Sequence, residues 1–213
     1  GLALTMLGLG LSGVWGRSYV GMPLPSRFEA WSIPFLRDIP LVGKALFAQD
    51  PVFYLAVVLT VSAGFLLERT RWGVTIRSVG ENPLAAAAAG ISVERVRFLC
   101  VIAGGAMAGL AGGYLSLVYI PSWIEGMTAG RGWIIIALTI FSGWDPRRAL
   151  LGALLFGGID ATQYLFQDSV PPNFLKMLPY LATILALLAG SRSAHGRHVA
   201  PAALALPYLK EER

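Results

Sequence analysis

The chain has 213 residues, 55% of them hydrophobic and only 14% charged, with a mean hydropathy of +0.64. Soluble domains carry about a quarter charged residues, so this surface cannot be fully wetted by water. The net charge of +5 does not point to nucleic acid, because the basic residues alternate with long apolar stretches and report orientation instead. Cys100 is the lone cysteine, which excludes a disulfide framework and a thiolate metal cluster and reads as a packing residue.

Crossing a bilayer core takes roughly 20 apolar residues. Six segments approach that requirement: Gly1–Gly16, Val52–Leu67, Phe98–Tyr119, Gly132–Trp144, Ala149–Phe166 and Lys176–Gly190. The first has no initiator Met or basic leader and reads as the tail of a helix from a longer chain. Between it and the second lies a Pro-containing, aromatic and charged loop, 17–51, expected to pack over the outer face. Phe98–Tyr119 holds Gly105, Gly109 and Gly113 at spacing four, with Gly104, Ala108 and Gly112 as a second row. Such rows let a neighbouring helix approach closely, either as a moving interface or as tight packing alone. Gly132–Trp144 is short, and either starts below the membrane surface or continues a broken helix from Trp123. Small-residue and broken segments are tolerated where they line a cavity or pack inside protein.

Loop charge orients the segments. One set of connections holds Arg69, Arg71, Arg77, Arg95, Arg97, Arg147, Arg148, Arg192, Arg197, Lys210 and Arg213. The opposite set holds Arg17, Arg27, Arg37, Lys44, Arg131 and Lys176. Eleven against six places the first set in the cytoplasm. Residues 1–190 therefore read as one transmembrane domain, with 68–97 as a cytoplasmic connection. Residues 191–213, basic and then Ala- and Pro-rich, read as a disordered tail.

Within that connection, Arg77-Ser78-Val79-Gly80-Glu81-Asn82-Pro83-Leu84 runs into Ala85–Ala89 and then Gly90-Ile91. Asn82 is a good N-cap, Pro83 suits the first helical position, and Gly90 suits the left-handed residue after a helix. The helix between them is barely two turns, almost wholly alanine after Leu84, and marginal unless docked. Its small side chains fit a narrow groove on a partner. Ser92 can then cap the helix that follows.

This stretch resembles the coupling helix of ABC importer permeases. Gly80–Ile91, Gly105–Leu117, Gly126–Trp133 and Phe141–Phe156 together resemble the simple-sugar and nucleoside permeases, ribose-permease-like members of the branched-chain amino-acid permease superfamily. Pro171-Pro172 before Met177-Leu178-Pro179-Tyr180 follows the same pattern. The resemblance implies an all-α polytopic bundle of the type II importer kind, here without the family's first helices. It also implies a multi-pass protein of the bacterial cytoplasmic membrane and the shorter permease of a heteromeric pair. A second permease, a cytoplasmic ATPase and an extracytoplasmic solute-binding protein are its expected partners. Glu81, Asn82, Pro83, Leu84, Ala86, Ala87 and Gly90 become the expected ATPase-coupling set. ATP and Mg are expected on the ATPase, with no cofactor in this chain.

Asp160 lies in a membrane segment, roughly 16 Å beyond Ala149 at 1.5 Å per residue. A charge there costs at least about 2.5–3.5 kcal/mol unless paired or wetted. Gln163 and Tyr164 share its helical face at spacings three and four. Two readings stand: a polar patch lining the translocation pathway, or a hydrogen-bonded packing residue. Arg131 reads as an interfacial anchor or a part of the outer vestibule.

Other chemistry finds no support. Gly8-Leu9-Gly10-Leu11-Ser12-Gly13 matches a dinucleotide fingerprint, but Gly16, Gly21, Pro23 and Pro25 follow where a helix should run. Gly43-Lys44 precedes Ala45, with no hydroxyl for magnesium, so it is not a phosphate loop. His195 and His198 lack metal-ligating neighbours. The sequence therefore predicts a non-catalytic transport subunit for a nucleoside or simple sugar, with a secondary transporter using Asp160 and an ion gradient as the alternative.

Overall fold

The computed structural model describes residues 2–24, 31–32, 47–128, 130–166, 171–175, 177–193 and 200–208. In order they form α1 (Leu2–Gly16), a 3-10 turn (Arg17–Tyr19), β1 (Trp31–Ser32), β2 (Ala48–Gln49), α2 (Pro51–Arg69), α3 (Arg71–Glu81) and α4 (Pro83–Ala88). Then follow α5 (Val93–Tyr114), a π turn (Leu115–Tyr119), α6 (Arg131–Phe141), α7 (Pro146–Leu165), α8 (Pro172–Leu175) and α9 (Leu178–Ser193). The two short strands pair antiparallel, Trp31 with Gln49 and Ser32 with Ala48.

Three of these helices start the same way. Asp50, Asn82 and Asp145 each precede a proline at the first helical position, and each side-chain Oδ1 accepts a backbone N–H at 2.9 Å, from Phe53, Ala85 and Arg147 respectively. The proline has no N–H to leave unpaired, and the carboxylate or amide answers one that the helix cannot. Stops are equally local. At the end of α6 the Gly143 N–H bonds the Ile140 carbonyl at 3.1 Å and the Trp144 N–H bonds that of Thr139 at 3.2 Å. Gly143 takes φ +63°, and Trp144 is forced to φ +58°, a conformation costing a bulky residue about 1–3 kcal/mol.

Two helices among the described residues, Pro51–Arg69 and Val93–Tyr119, are long and apolar enough to cross a membrane. Their apolar side chains are not gathered into a core: Phe98 and Val101 are 66% and 73% exposed. α6 is an exception to the expected spans. Its 11 residues reach about 16 Å, half a bilayer core. It does not continue a helix from Trp123 either: Gly126 and Gly130 take positive φ, and Trp123 pairs with Val20 in an isolated bridge.

The chain divides into two compact units, with boundaries inside α2 and α5. In the first, Gly1–Val57 with Ile102–Gly130, a side chain at Gly16 would run into the Trp123 ring, so glycine is required there. The Leu24 N–H bonds the Pro121 carbonyl at 3.1 Å, and the Tyr114 hydroxyl donates to the Asp50 carboxylate at 3.3 Å. Among the described residues, nothing lies within 4 Å of where a Cβ would stand on Gly105, Gly109 or Gly113 of α5.

In the second unit, Val58–Val101 with Arg131–Arg213, α6, α7 and α9 pack on one another, and Gly152 of α7 lies against Leu138 of α6. Arg147, beside the Asp145 cap, pairs with Glu68 near the end of α2 at 2.8 Å. Both side chains are exposed, so this pair contributes at most about 1 kcal/mol. Residues 200–208, expected to be disordered, instead pack against α3 and α5.

Candidate functional site

The candidate site is the α3–α4–α5 turn-back. α2 ends at Thr70, whose hydroxyl donates to the Leu66 carbonyl at 2.6 Å and accepts the Gly73 N–H at 3.1 Å. This pair of hydrogen bonds marks the turn of the chain into α3. A Cβ on Gly73 would collide with the Leu66 and Leu67 carbonyl oxygens. α3 then buries Gly73 and Val79 with Ile76 beside them, a face at helical spacing that no apolar run announces.

α4 is closed at both ends. Asn82 sits extended at φ −144°, as a residue before proline prefers, and caps it. At the other end the Gly90 N–H bonds the Ala87 carbonyl at 2.9 Å and the Ile91 N–H bonds that of Ala86 at 3.0 Å. Gly90 takes φ +83°, the left-handed conformation that glycine adopts without a Cβ penalty. Ile91 then packs back on Ala86, the apolar contact that accompanies this stop.

The two faces of α4 differ. Ala86 is 4% exposed, and with half-buried Ala87 it packs on Val79 of α3 and on Val93 and Val96 of α5. Leu84, at 64%, Ala85, Ala88 and Ala89 look outward. The expected coupling set therefore separates by role. Asn82 and Gly90 shape the helix, while Pro83, Ala86 and Ala87 lie on its inward half. Leu84 remains on the outward face, joined there by Ala85 and Ala88, which the sequence reading did not single out. The inward face thus packs on the first turn of α5, a helix long enough to cross a membrane.

Residues 200–208 complete this small core. The Ala203 N–H bonds the Gly80 carbonyl at 2.9 Å, Pro201 lies over Gly80, and the Ala202 N–H reaches the Glu81 carboxylate at 3.4 Å. Arg97 donates to the Leu206 carbonyl at 3.1 Å, and its guanidinium stands 5.8 Å from the centre of the Tyr208 ring. Tyr208 also packs against the core beneath α4.

The other candidate residues do not join this site. Asp160 is half-buried in the second half of α7 and has a partner. Gln163 and Tyr164 continue α7, with their side chains outside the described residues, so no polar patch is drawn from them. Arg131 opens α6, half-buried and likewise partnered. His195 and His198 fall outside the described residues.

Two helices long and apolar enough to cross a membrane, with a capped two-turn helix between them in the chain, are what a helical membrane protein requires. The chain belongs to the family described as branched-chain amino acid transport system / permease component, which matches residues 2–187. It is 36% identical over 237 residues to a putative glucose ABC transporter permease of Haloferax volcanii, covering 99% of this chain and 72% of that one. It is 35% identical to a guanosine ABC transporter permease of Bacillus subtilis, covering 100% and 69%. A nucleoside ABC transporter permease of Lactococcus lactis is 35% identical over 85% of this chain and 58% of its own length. No solved structure matches at comparable significance. The chain is thus an ABC-type permease, a membrane-embedded component of a transport system and not an enzyme.

Proposed function

We propose that this chain is one of two permease subunits of an ABC importer for a nucleoside or simple sugar, and that α4 is the helix through which a cytoplasmic ATPase drives it. The carrying observation is the two-faced α4, capped at both ends, anchored inward on α5 and presenting Leu84, Ala85 and Ala88 outward. An isolated helix of 6 residues would not persist in water. Its own core supports one face, and a groove on the ATPase suits the small side chains of the other. The names of the relatives support the cargo class, and the paired permeases of guanosine and nucleoside transporters support a second, different permease subunit. We place the protein as multi-pass in the cytoplasmic membrane, with a solute-binding protein delivering cargo from outside. In this reading ATP and Mg belong to the ATPase, and the chain carries no nucleotide site.

The test is uptake by vesicles holding the reconstituted complex. Uptake of a labelled nucleoside or sugar should require ATP and survive collapse of the proton gradient, in the wild type and in Asp160→Asn alike. Uptake that persists without ATP and stops with the gradient would transfer the mechanism to Asp160 and end this proposal.

A further inference from the structure

The coupling turn-back is held from behind by a segment more than 100 residues further along the chain. Residues 200–208 join the small core from two of its walls. Pro201 and Ala203 meet Gly80 on α3, the Leu206 carbonyl ties to Arg97 on α5, and Tyr208 packs against the core cluster that contains Ala86. The segment holds its own shape through turn bonds, from the Leu204 N–H to the Pro201 carbonyl at 2.9 Å and from the Leu206 N–H to the Ala203 carbonyl at 3.2 Å. Ala205 takes φ +61° there, a conformation alanine adopts only under constraint from its surroundings.

A six-residue helix fixed by two alanines has little contact area of its own. Pushed from its outward face, it would slide or melt before it moved α5. An aromatic ring packed against the core that contains Ala86, and facing a guanidinium that is itself rooted in α5, removes that freedom. We infer that residues 200–208 form a positioning strap: Tyr208, Arg97 and the Pro201–Gly80 contact lock α4 to the root of α5, so that movement of the docked partner is transmitted and not absorbed. This rests on the proposed role of α4, and it assigns the strap no contact with cargo or nucleotide.

The experiment has two arms, both on the full chain with Cys100→Ser to remove the native thiol. In the first, a Cβ at Gly80 would stand 3.3 Å from the Pro201 Cβ, close to the separation a disulfide spans. Gly80→Cys with Pro201→Cys should therefore crosslink on mild oxidation in native membranes, without any partner present. In the second, the assembled complex is reconstituted with Tyr208→Ala, Tyr208→Phe or Gly80→Leu, the last displacing Pro201 by bulk alone. ATPase association and hydrolysis should stay within about twofold of wild type, while cargo moved per ATP falls at least about fivefold for Tyr208→Ala and Gly80→Leu. Tyr208→Phe keeps the ring and should restore wild-type coupling, and the disulfide-locked pair should transport normally. Absence of the crosslink overturns the strap. A crosslink with unchanged cargo per ATP in both disruptive variants overturns its positioning role, as does a locked strap that abolishes transport. An ATPase that fails to associate with the wild-type chain is a failure of the proposed function; it removes the positioning role as well, while the crosslink still reports the geometry.

Discussion

Replacing Ala85 by glutamate sets the chain's own stability against its docking. Ala85 is the third helical residue of α4, and its N–H is already bonded to the Asn82 side chain at 2.9 Å. The Asn82 N–H is already bonded to the Ser78 carbonyl at 2.9 Å, so a glutamate at that position acts by placing negative charge at the positive end of the helix. For the unpartnered chain the change should be neutral or stabilising by about 0.3–1 kcal/mol. Ala85 is exposed among the described residues. Seated in a groove on the ATPase, the same carboxylate must lose its water without an arranged partner, at several kcal/mol. Overpacking adds roughly 1–3 kcal/mol. Even about 3 kcal/mol weakens association by about two orders of magnitude. The assay pairs hydrogen exchange across 83–88 in the chain alone with titration of the purified ATPase onto the reconstituted permease. Unchanged or stronger protection with association weakened about a hundredfold is the expected result. Association within threefold of wild type, with normal uptake, refutes the reasoning and leaves α4 a solvated surface helix.

Further outcomes follow from the same geometry. Asn82→Ala removes the cap of α4 and should cost about 1 kcal/mol, seen as faster amide exchange at Leu84 and Ala85, while Asn82→Asp should retain most of the protection. Gly73→Ala should lower the melting temperature of the solubilised chain, at a cost of about 1–3 kcal/mol, because its methyl meets the Leu66 and Leu67 carbonyls. Among the described residues nothing lies within 4 Å of a Cβ at Gly109, so Gly109→Ile should leave the melting temperature of the chain alone unchanged; reduced yield of the assembled complex would show that this glycine row seats another subunit. Equal yield would show that the row faces lipid.

Much of this protein is written locally. Asp50-Pro51, Asn82-Pro83 and Asp145-Pro146 start helices by chemistry confined to four residues, and Gly90 stops one at a positive φ that costs it no Cβ penalty. The long apolar runs of α2 and α5 likewise declare their solvent, since burying them in water-soluble form would need a core this composition does not surround. Which face of α4 turns inward was not legible. An alanine run has no polar side to contrast with an apolar one, so Ala86 and Ala88 look alike until α5 is packed against one of them. The end of α6, a segment already short in the sequence, is hidden for a related reason, as its apolar run continues through Ser142-Gly143-Trp144, where backbone bonds end the helix. Residues 200–208 were the largest departure. Turn bonds shape them locally, but their Ala- and Pro-rich composition does not announce the surface they meet, Gly80, Glu81 and Arg97, contacts set by tertiary structure across more than 100 residues of chain.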